Sequence, residues 1–281
     1  MTNPGVPALT DCPVRGADGR YVEPRLDWFS RAVAARVLLG LLLAGAFVGC
    51  LKLAEVNPAA LMRGFPRLLE WAAKGWPPYL DDLDVFSWRA IETVAIATVG
   101  TVAATLTAFP LAVFLARNVT PSPVLSFPVR WLVNTFRAID TVVFALLFVT
   151  AVGLGPFAGV LGMIVHSVGV ITKLYAEAIE TIPGAPLEAA AMSGAGRTKI
   201  VTYAMLPSVL PSLASVSLYM WESNVRTSTI LGIVGAGGIG IEIKAAIDLL
   251  DFQKLLTLSV IVLIMVTVID QLSAWLRRRL V

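Results

Sequence analysis

The chain has 281 residues, 57% of them hydrophobic and 15% charged, with a formal net charge of +3. A soluble domain carries about 25% charged residues. Here a mean hydropathy of +0.79 is concentrated in long apolar blocks, which excludes an ordinary soluble domain and implies an integral membrane protein. The sequence pI of 9.0 reads as membrane orientation and lipid contact, not nucleic-acid binding. A single histidine, His166, excludes a His-rich metal site.

In chain order, a polar tail (1–36) precedes the first apolar block. No small-residue cleavage site follows that block, and Lys52 interrupts its far end, so it reads as a retained signal anchor. About twenty apolar residues cross a bilayer, and six candidate spans meet this: 37–53, 91–116, 131–152, 157–174, 209–230 and 256–276. Gly153-Leu154-Gly155-Pro156 resists helix continuation and predicts a hairpin between the third and fourth spans.

Six spans place both termini on one side. The arginines of the tail (Arg15, Arg20, Arg25, Arg31, Arg36), Arg117, Arg130, Arg197, Lys199 and the terminal Arg277-Arg278-Arg279 all fall on that side, which is therefore expected to be cytoplasmic. Cys12 and Cys50 then lie on opposite sides, and no disulfide within the chain is expected. The first outer loop (54–88) places Leu61, Phe65, Leu68, Ala72 and Trp76 at helical spacing, with Trp71, Trp76 and Trp88 suited to a membrane interface. It predicts an interfacial helix kinked or split at Pro66. Both a free surface helix and a docking element remain open for it.

Glu188-Ala-Ala-Ala-Met-Ser-Gly-Ala-Gly-Arg-Thr-Lys-Ile200 sits between the fourth and fifth spans. It reads as a short helix of small residues, with Glu188 at its start and Arg197 and Lys199 at its end, a polarity that suits the helix dipole. Small residues permit close approach by another helix, Gly194 permits a bend, and Leu206-Pro207 marks the way into the next span.

Glu188-Ala189-Ala190, Gly194 and Leu206-Pro207 together resemble the cytoplasmic "EAA" signature of ABC importer permeases, with Ala204 standing where that pattern favours Ile. Tyr219–Gly240, Gly153–Leu161 and Tyr175–Glu180 are similar to the phosphonate-importer permease subfamily, Asp140 standing where subfamily members often carry Pro. The resemblance implies an all-α membrane protein of about six transmembrane helices. Its permease core (89–281) would be of the type I, methionine-importer-like kind, with one extra N-terminal span.

By the same resemblance the chain is the membrane subunit of an ATP-driven importer in a bacterial inner membrane. Two copies would form the pathway for phosphonate, phosphate or phosphite. Two ATP-binding subunits would grip the coupling helices (Glu188, Ala189, Ala190, Gly194, Arg197, Leu206, Pro207). An extracytoplasmic binding protein would deliver the anion. The chain has no G-x-x-x-x-G-K-[ST] run, so ATP and its Mg2+ are expected on a separate chain and no cofactor is expected on this one. Gly235-Ala-Gly-Gly-Ile-Gly240 matches G-x-G-x-x-G, but no strand–helix alternation surrounds it. It reads instead as a tight re-entrant turn.

Charges within spans are costly and often functional. Glu222 and Arg226 share a helix face at i, i+4, with Asn224 between them. Counting from Leu206 places Arg226 about 30 Å up its helix, near the outer mouth. It either meets an incoming oxyanion or pairs structurally with Glu222. Arg137 and Asp140, at i, i+3 in the third span, are either a self-neutralising pair or an inner gate. His166 reads as a hydrogen-bonded packing residue or a proton relay. An ion-coupled secondary transporter would want midplane acids and an internal repeat, neither of which is evident. An intramembrane enzyme would need a catalytic cluster, and the single histidine and two distant cysteines supply none.

Overall fold

The computed structural model describes residues 31–118, 123–182, 184–196 and 199–280. The tail before residue 31, with Cys12, and Arg197 lie outside the described residues. The described residues are almost entirely helical and include no strand. The chain divides into two compact units, Met1–Arg67 and Leu68–Val281.

The first unit holds α1 (Arg31–Leu53) and the opening of α2 (Pro58–Lys74). From Val37 onward α1 is apolar all round and its large side chains are exposed, as a helix solvated by lipid would be. The helix α2 is amphipathic, as the spacing of Leu61, Phe65 and Leu68 requires. It runs without interruption through Pro66, so the helix is not split there.

In the second unit Trp71 stacks on Phe252 with ring centroids 5.4 Å apart. The unit is built around α3 (Leu83–Leu115) and α6 (Pro156–Glu180). A face of small residues on α3 (Ala97, Gly100, Thr101, Ala104, Ala108, Ala112) recurs every three or four positions and is buried. Without a hydrophobic force between helices in lipid, such faces let backbones approach and gain dispersion contact. A Cβ at Gly100 would meet Met163 Sδ at 2.9 Å.

On α6 three glycines lie directly against neighbouring backbone. A Cβ at Gly159 would meet the Ala236 carbonyl at 2.5 Å, one at Gly162 the Ala145 nitrogen at 2.6 Å, and one at Gly169 the Arg137 nitrogen at 2.7 Å. These approaches seat α4 (Pro123–Ala138) and α5 (Thr141–Val152) across α6.

The third expected span is therefore not one helix. It is broken at Ile139-Asp140, and its two halves meet at 91°. Asp140 caps α5, its side chain accepting from the Val142 N–H at 2.9 Å. His166 Nδ1 donates to the Ile139 carbonyl at 2.8 Å, satisfying an acceptor that the break frees. The predicted hairpin is present: α5 ends at Val152, α6 starts at Pro156, and Gly153 and Gly155 take positive φ.

After α7 (Gly184–Met192), a π-helical turn (Ile200–Met205) leads into α8 (Leu206–Leu231). The chain then passes a 3-10 turn (Gly232–Val234), α9 (Gly240–Asp248) and α10 (Phe252–Leu280). By length and composition three described helices can each cross a membrane, or up to five if each bent pair counts as one span.

Candidate functional site

Three places in the second unit gather the residues that the sequence singles out. The first is the segment between α6 and α8. The helix α7 begins at Gly184, four residues before Glu188, and ends at Met192. Its end is a Schellman motif: the Gly194 N–H bonds the Ala191 carbonyl at 3.0 Å, and the Ala195 N–H bonds the Ala190 carbonyl at 3.3 Å. Gly194 takes φ +77°, which only glycine adopts without strain.

Lys199 therefore lies beyond the end of α7, which has no basic residue in its last turn. This corrects the expected dipole arrangement at that end. Glu188 and Ala189 are exposed and Ala190 is half-buried. Met192 is 90% and Tyr203 79% exposed. Leu206 opens α8 and Pro207 sits in its first turn, where a missing N–H costs no hydrogen bond.

The second place is a polar hub midway along α3 and α6, where the C-terminal third of α8 meets them. Asn224 is 2% exposed and donates from Nδ2 to Thr101 Oγ1 at 2.9 Å and to Ser167 Oγ at 3.0 Å. Trp221 Nε1 donates to Thr98 Oγ1 at 2.9 Å. On the same helix Glu222 is gripped twice, by Arg226 Nη2 at 2.7 Å and by Arg277 Nη2 at 2.9 Å. The Glu222 side chain is 14% exposed and that of Arg226 50%. Arg226 thus has a structural partner in Glu222 and a half-exposed side chain.

The Asn224–Thr101 bond and the 3.2 Å bond from Ser228 Oγ to the Thr93 carbonyl set Arg226 level with the stretch of α3 between Thr93 and Thr101.

Arg137 and Asp140 are not brought together. The helix break separates them, no ion pair joins them, and both are exposed. The self-neutralising pair is corrected accordingly. Reasoning from sequence missed Arg277, which it placed in an orienting tail, and the hydroxyls Thr101 and Ser167. Small residues at i, i+3 and i+4 on α3 were the available signal for the hydroxyls. None existed for a pairing across 55 positions.

The third place is the glycine-rich turn. Gly235, Gly237 and Gly238 all take positive φ. The Gly155 N–H bonds the Gly235 carbonyl at 3.0 Å, and the Ile239 N–H bonds Thr93 Oγ1 at 2.8 Å. The turn thus locks the α5–α6 hairpin to α3, and no strand precedes it among the described residues. Beside it a cavity of about 700 Å3 is walled by Arg89, Glu92, Leu154, Gly235 and Lys244, among others. Arg89 there bridges Glu92 at 2.8 Å and Glu242 at 3.3 Å.

Residues 108–281 match the family described as binding-protein-dependent transport system inner membrane component. The chain is 47% identical over 247 residues to HtxC of Stutzerimonas stutzeri, a permease protein named for a phosphite transport system, covering 88% of this chain and 86% of the relative. It is 34% identical to the phosphite transport system permease protein PtxC of the same organism, over 90% of each chain. It is 39% identical to the phosphate-import permease protein PhnE of Mycolicibacterium smegmatis, over 88% of this chain and 47% of the relative. Among solved structures, the inward-facing methionine ABC transporter MetNI contains a chain that superposes with a TM-score of 0.65 at 22% identity, covering 72% of this chain and all of that one. That likeness shows a shared fold.

Proposed function

The chain belongs to the family of inner-membrane components of binding-protein-dependent transport systems, and from that premise we propose that two copies form the pathway of an ATP-driven importer for a phosphorus oxyanion. The family is one of transport subunits, not enzymes. The observation that carries the substrate class is the 47% identity, along most of both chains, to a permease named for phosphite transport. Phosphite, phosphate and phosphonate share a tetrahedral anionic head and differ by one substituent. An extracytoplasmic binding protein makes that finer choice, and the permease has only to admit a small anion.

In this reading α7 is the coupling helix. Its exposed Glu188 and Ala189, with the exposed Met192 and Tyr203, form the surface that an ATP-binding subunit grips. The Gly194 cap fixes the direction in which the chain returns to the membrane. Closure of two ATP-binding subunits around ATP draws the two α7 helices together and tilts the helix pairs to which they are joined. ATP and Mg2+ reside on those subunits. Arg226, with half of its side chain exposed, offers the passing anion a planar donor fork. Glu222 and Arg277 hold that fork at a fixed height. Both termini lie on the cytoplasmic side, as the arginine distribution requires.

The test is reconstitution in proteoliposomes with the cognate ATP-binding and binding-protein subunits. ATP hydrolysis should rise when the binding protein carries phosphite, phosphate or methylphosphonate, and not with sulfate or methionine. Stimulation by methionine alone, or equal stimulation by every ligand, would overturn the assignment of substrate class.

A further inference from the structure

At the ends of α3 and α6 that the arginine distribution assigns to the cytoplasm, a small polar pocket opens between three helices. Its volume is about 80 Å3. A water molecule occupies about 30 Å3 of liquid, so the pocket has room for one tetrahedral oxyanion group. Two of its walls follow from helical spacing. Arg130 and Asn134 are i, i+4 on α4, and Lys173, Glu177 and Glu180 recur at i, i+4 and i+7 on α6. Arg117, just beyond the end of α3, makes the third wall.

The acids of the pocket are already engaged. Glu177 pairs with Lys173 at 3.0 Å, and Glu180 accepts from the Arg117 backbone N–H at 2.9 Å. The guanidiniums are not. Neither Arg117 nor Arg130 takes part in an ion pair among the described residues. One Arg130 nitrogen, Nη2, caps α3 by donating to the Leu115 carbonyl at 3.3 Å, which positions the fork and leaves its other donors without a partner among the described residues. The Asn118 amide, donating to the Ile179 carbonyl at 2.9 Å, ties the end of α3 to that of α6 and holds the walls in place.

Three cations (Arg117, Arg130, Lys173) against two carboxylates (Glu177, Glu180) leave the pocket with a net charge of +1 by formal count. We propose that this pocket binds one monoanionic phosphate group, held between the Arg117 and Arg130 forks, at the inner surface of the membrane. The chemistry is shared by two sources, the phosphodiester of an inner-leaflet phospholipid and a free singly charged phosphorus oxyanion. The site is separate from the Glu222 hub and does not depend on the importer's substrate being a phosphorus oxyanion.

The experiment uses the full chain purified in complex with its ATP-binding subunit. Native mass spectrometry would measure retention of phosphatidylglycerol by the wild type and by the double variant Arg117→Gln/Arg130→Gln, with diacylglycerol as the control lacking phosphate. A second arm would follow thermal stabilisation by inorganic phosphate, against chloride at equal ionic strength. For a lipid site, phosphatidylglycerol retention falls about tenfold in the double variant, the loss expected for a charged hydrogen bond, and diacylglycerol retention is unchanged. For a free-anion site, phosphate stabilises the wild type and not the variant, and lipid retention is equal in both.

If both lipid retention and the phosphate response are the same in wild type and variant, the proposal is overturned. Should the Gln variant fail to assemble, Arg117→Lys/Arg130→Lys keeps the charge and removes the forks. It should bind at an intermediate level, and wild-type binding by it would sink the role given to the forks.

Discussion

Arg277, 55 positions along the chain from Glu222, donates to its Oε2 at 2.9 Å while Arg226 holds Oε1 at 2.7 Å. One carboxylate thereby joins α8 to α10. The carboxylate is nearly enclosed, whereas half of the Arg226 side chain is open. Glu222→Gln is expected to cost about 1–2 kcal/mol, within the range for hydrogen bonds to charged groups and above the average inside membranes. Arg226→Gln is expected to cost less than about 1 kcal/mol, since exposed pairs contribute little. Thermal unfolding in detergent distinguishes them: equal shifts in midpoint would show that Glu222 is not the fastener.

Helix contact is set by glycine where α6 meets α4 and α5. A methyl group at Gly162 would lie 2.6 Å from the Ala145 nitrogen, and one at Gly169 would lie 2.7 Å from the Arg137 nitrogen. Backbone atoms cannot step aside as a flexible side chain can. Gly162→Ala and Gly169→Ala should each destabilise by about 1–3 kcal/mol through overpacking. Gly45→Ala on α1, with nothing within 4 Å of its added methyl, should leave the midpoint unchanged or raised. A loss at Gly45 as large as that at Gly162 would contradict this account of the packing.

These contacts also mark what the sequence could and could not convey. The α5–α6 hairpin was legible because Gly153, Gly155 and Pro156 act through their own backbones. The stripe of α2 was legible because Leu61, Phe65 and Leu68 obey a local period. The break at Ile139-Asp140 was obscured because an apolar run on either side reads as one span. Asp140 before Thr141-Val142-Val143 was nonetheless a helix-capping signal. The end of α7 was placed too late because Arg197 and Lys199 suited a dipole, although Gly194 and Gly196 carried the stop signal. The Glu222–Arg277 pair had no local trace, since tertiary packing alone selects a partner so distant.

Thr93 concentrates three bonds at the glycine-rich turn. Its Oγ1 donates to the Arg89 carbonyl at 2.8 Å and accepts from the Ile239 N–H at 2.8 Å, while its carbonyl accepts from Ser228 Oγ at 3.2 Å. Thr93→Val keeps the shape and leaves the buried Ile239 N–H without its acceptor. The expected cost is about 1–3 kcal/mol, concentrated at the turn. Amide exchange across residues 235–240 should accelerate more than exchange in α6. Uniform acceleration would mean that the hydroxyl does not hold the turn.

The coupling segment makes the most demanding prediction, because its structure and its proposed role can fail separately. Gly194 sits at φ +77° with no atom within 4 Å of an added Cβ, so Gly194→Ala adds backbone strain and no collision. The cost should be about 1 kcal/mol, local to the α7 cap. Asn tolerates the left-handed region better than Ala, so Gly194→Asn should retain more function. Glu188→Lys reverses an exposed charge and should leave folding intact. In proteoliposomes with both partner subunits, Glu188→Lys and Gly194→Ala should lower the stimulation of ATP hydrolysis by the loaded binding protein. Gly194→Asn should fall between Gly194→Ala and the wild type. If Glu188→Lys assembles and is stimulated as fully as the wild type, α7 does not carry the coupling through this side chain. If Ala and Asn at 194 behave alike, the left-handed cap is not what positions it.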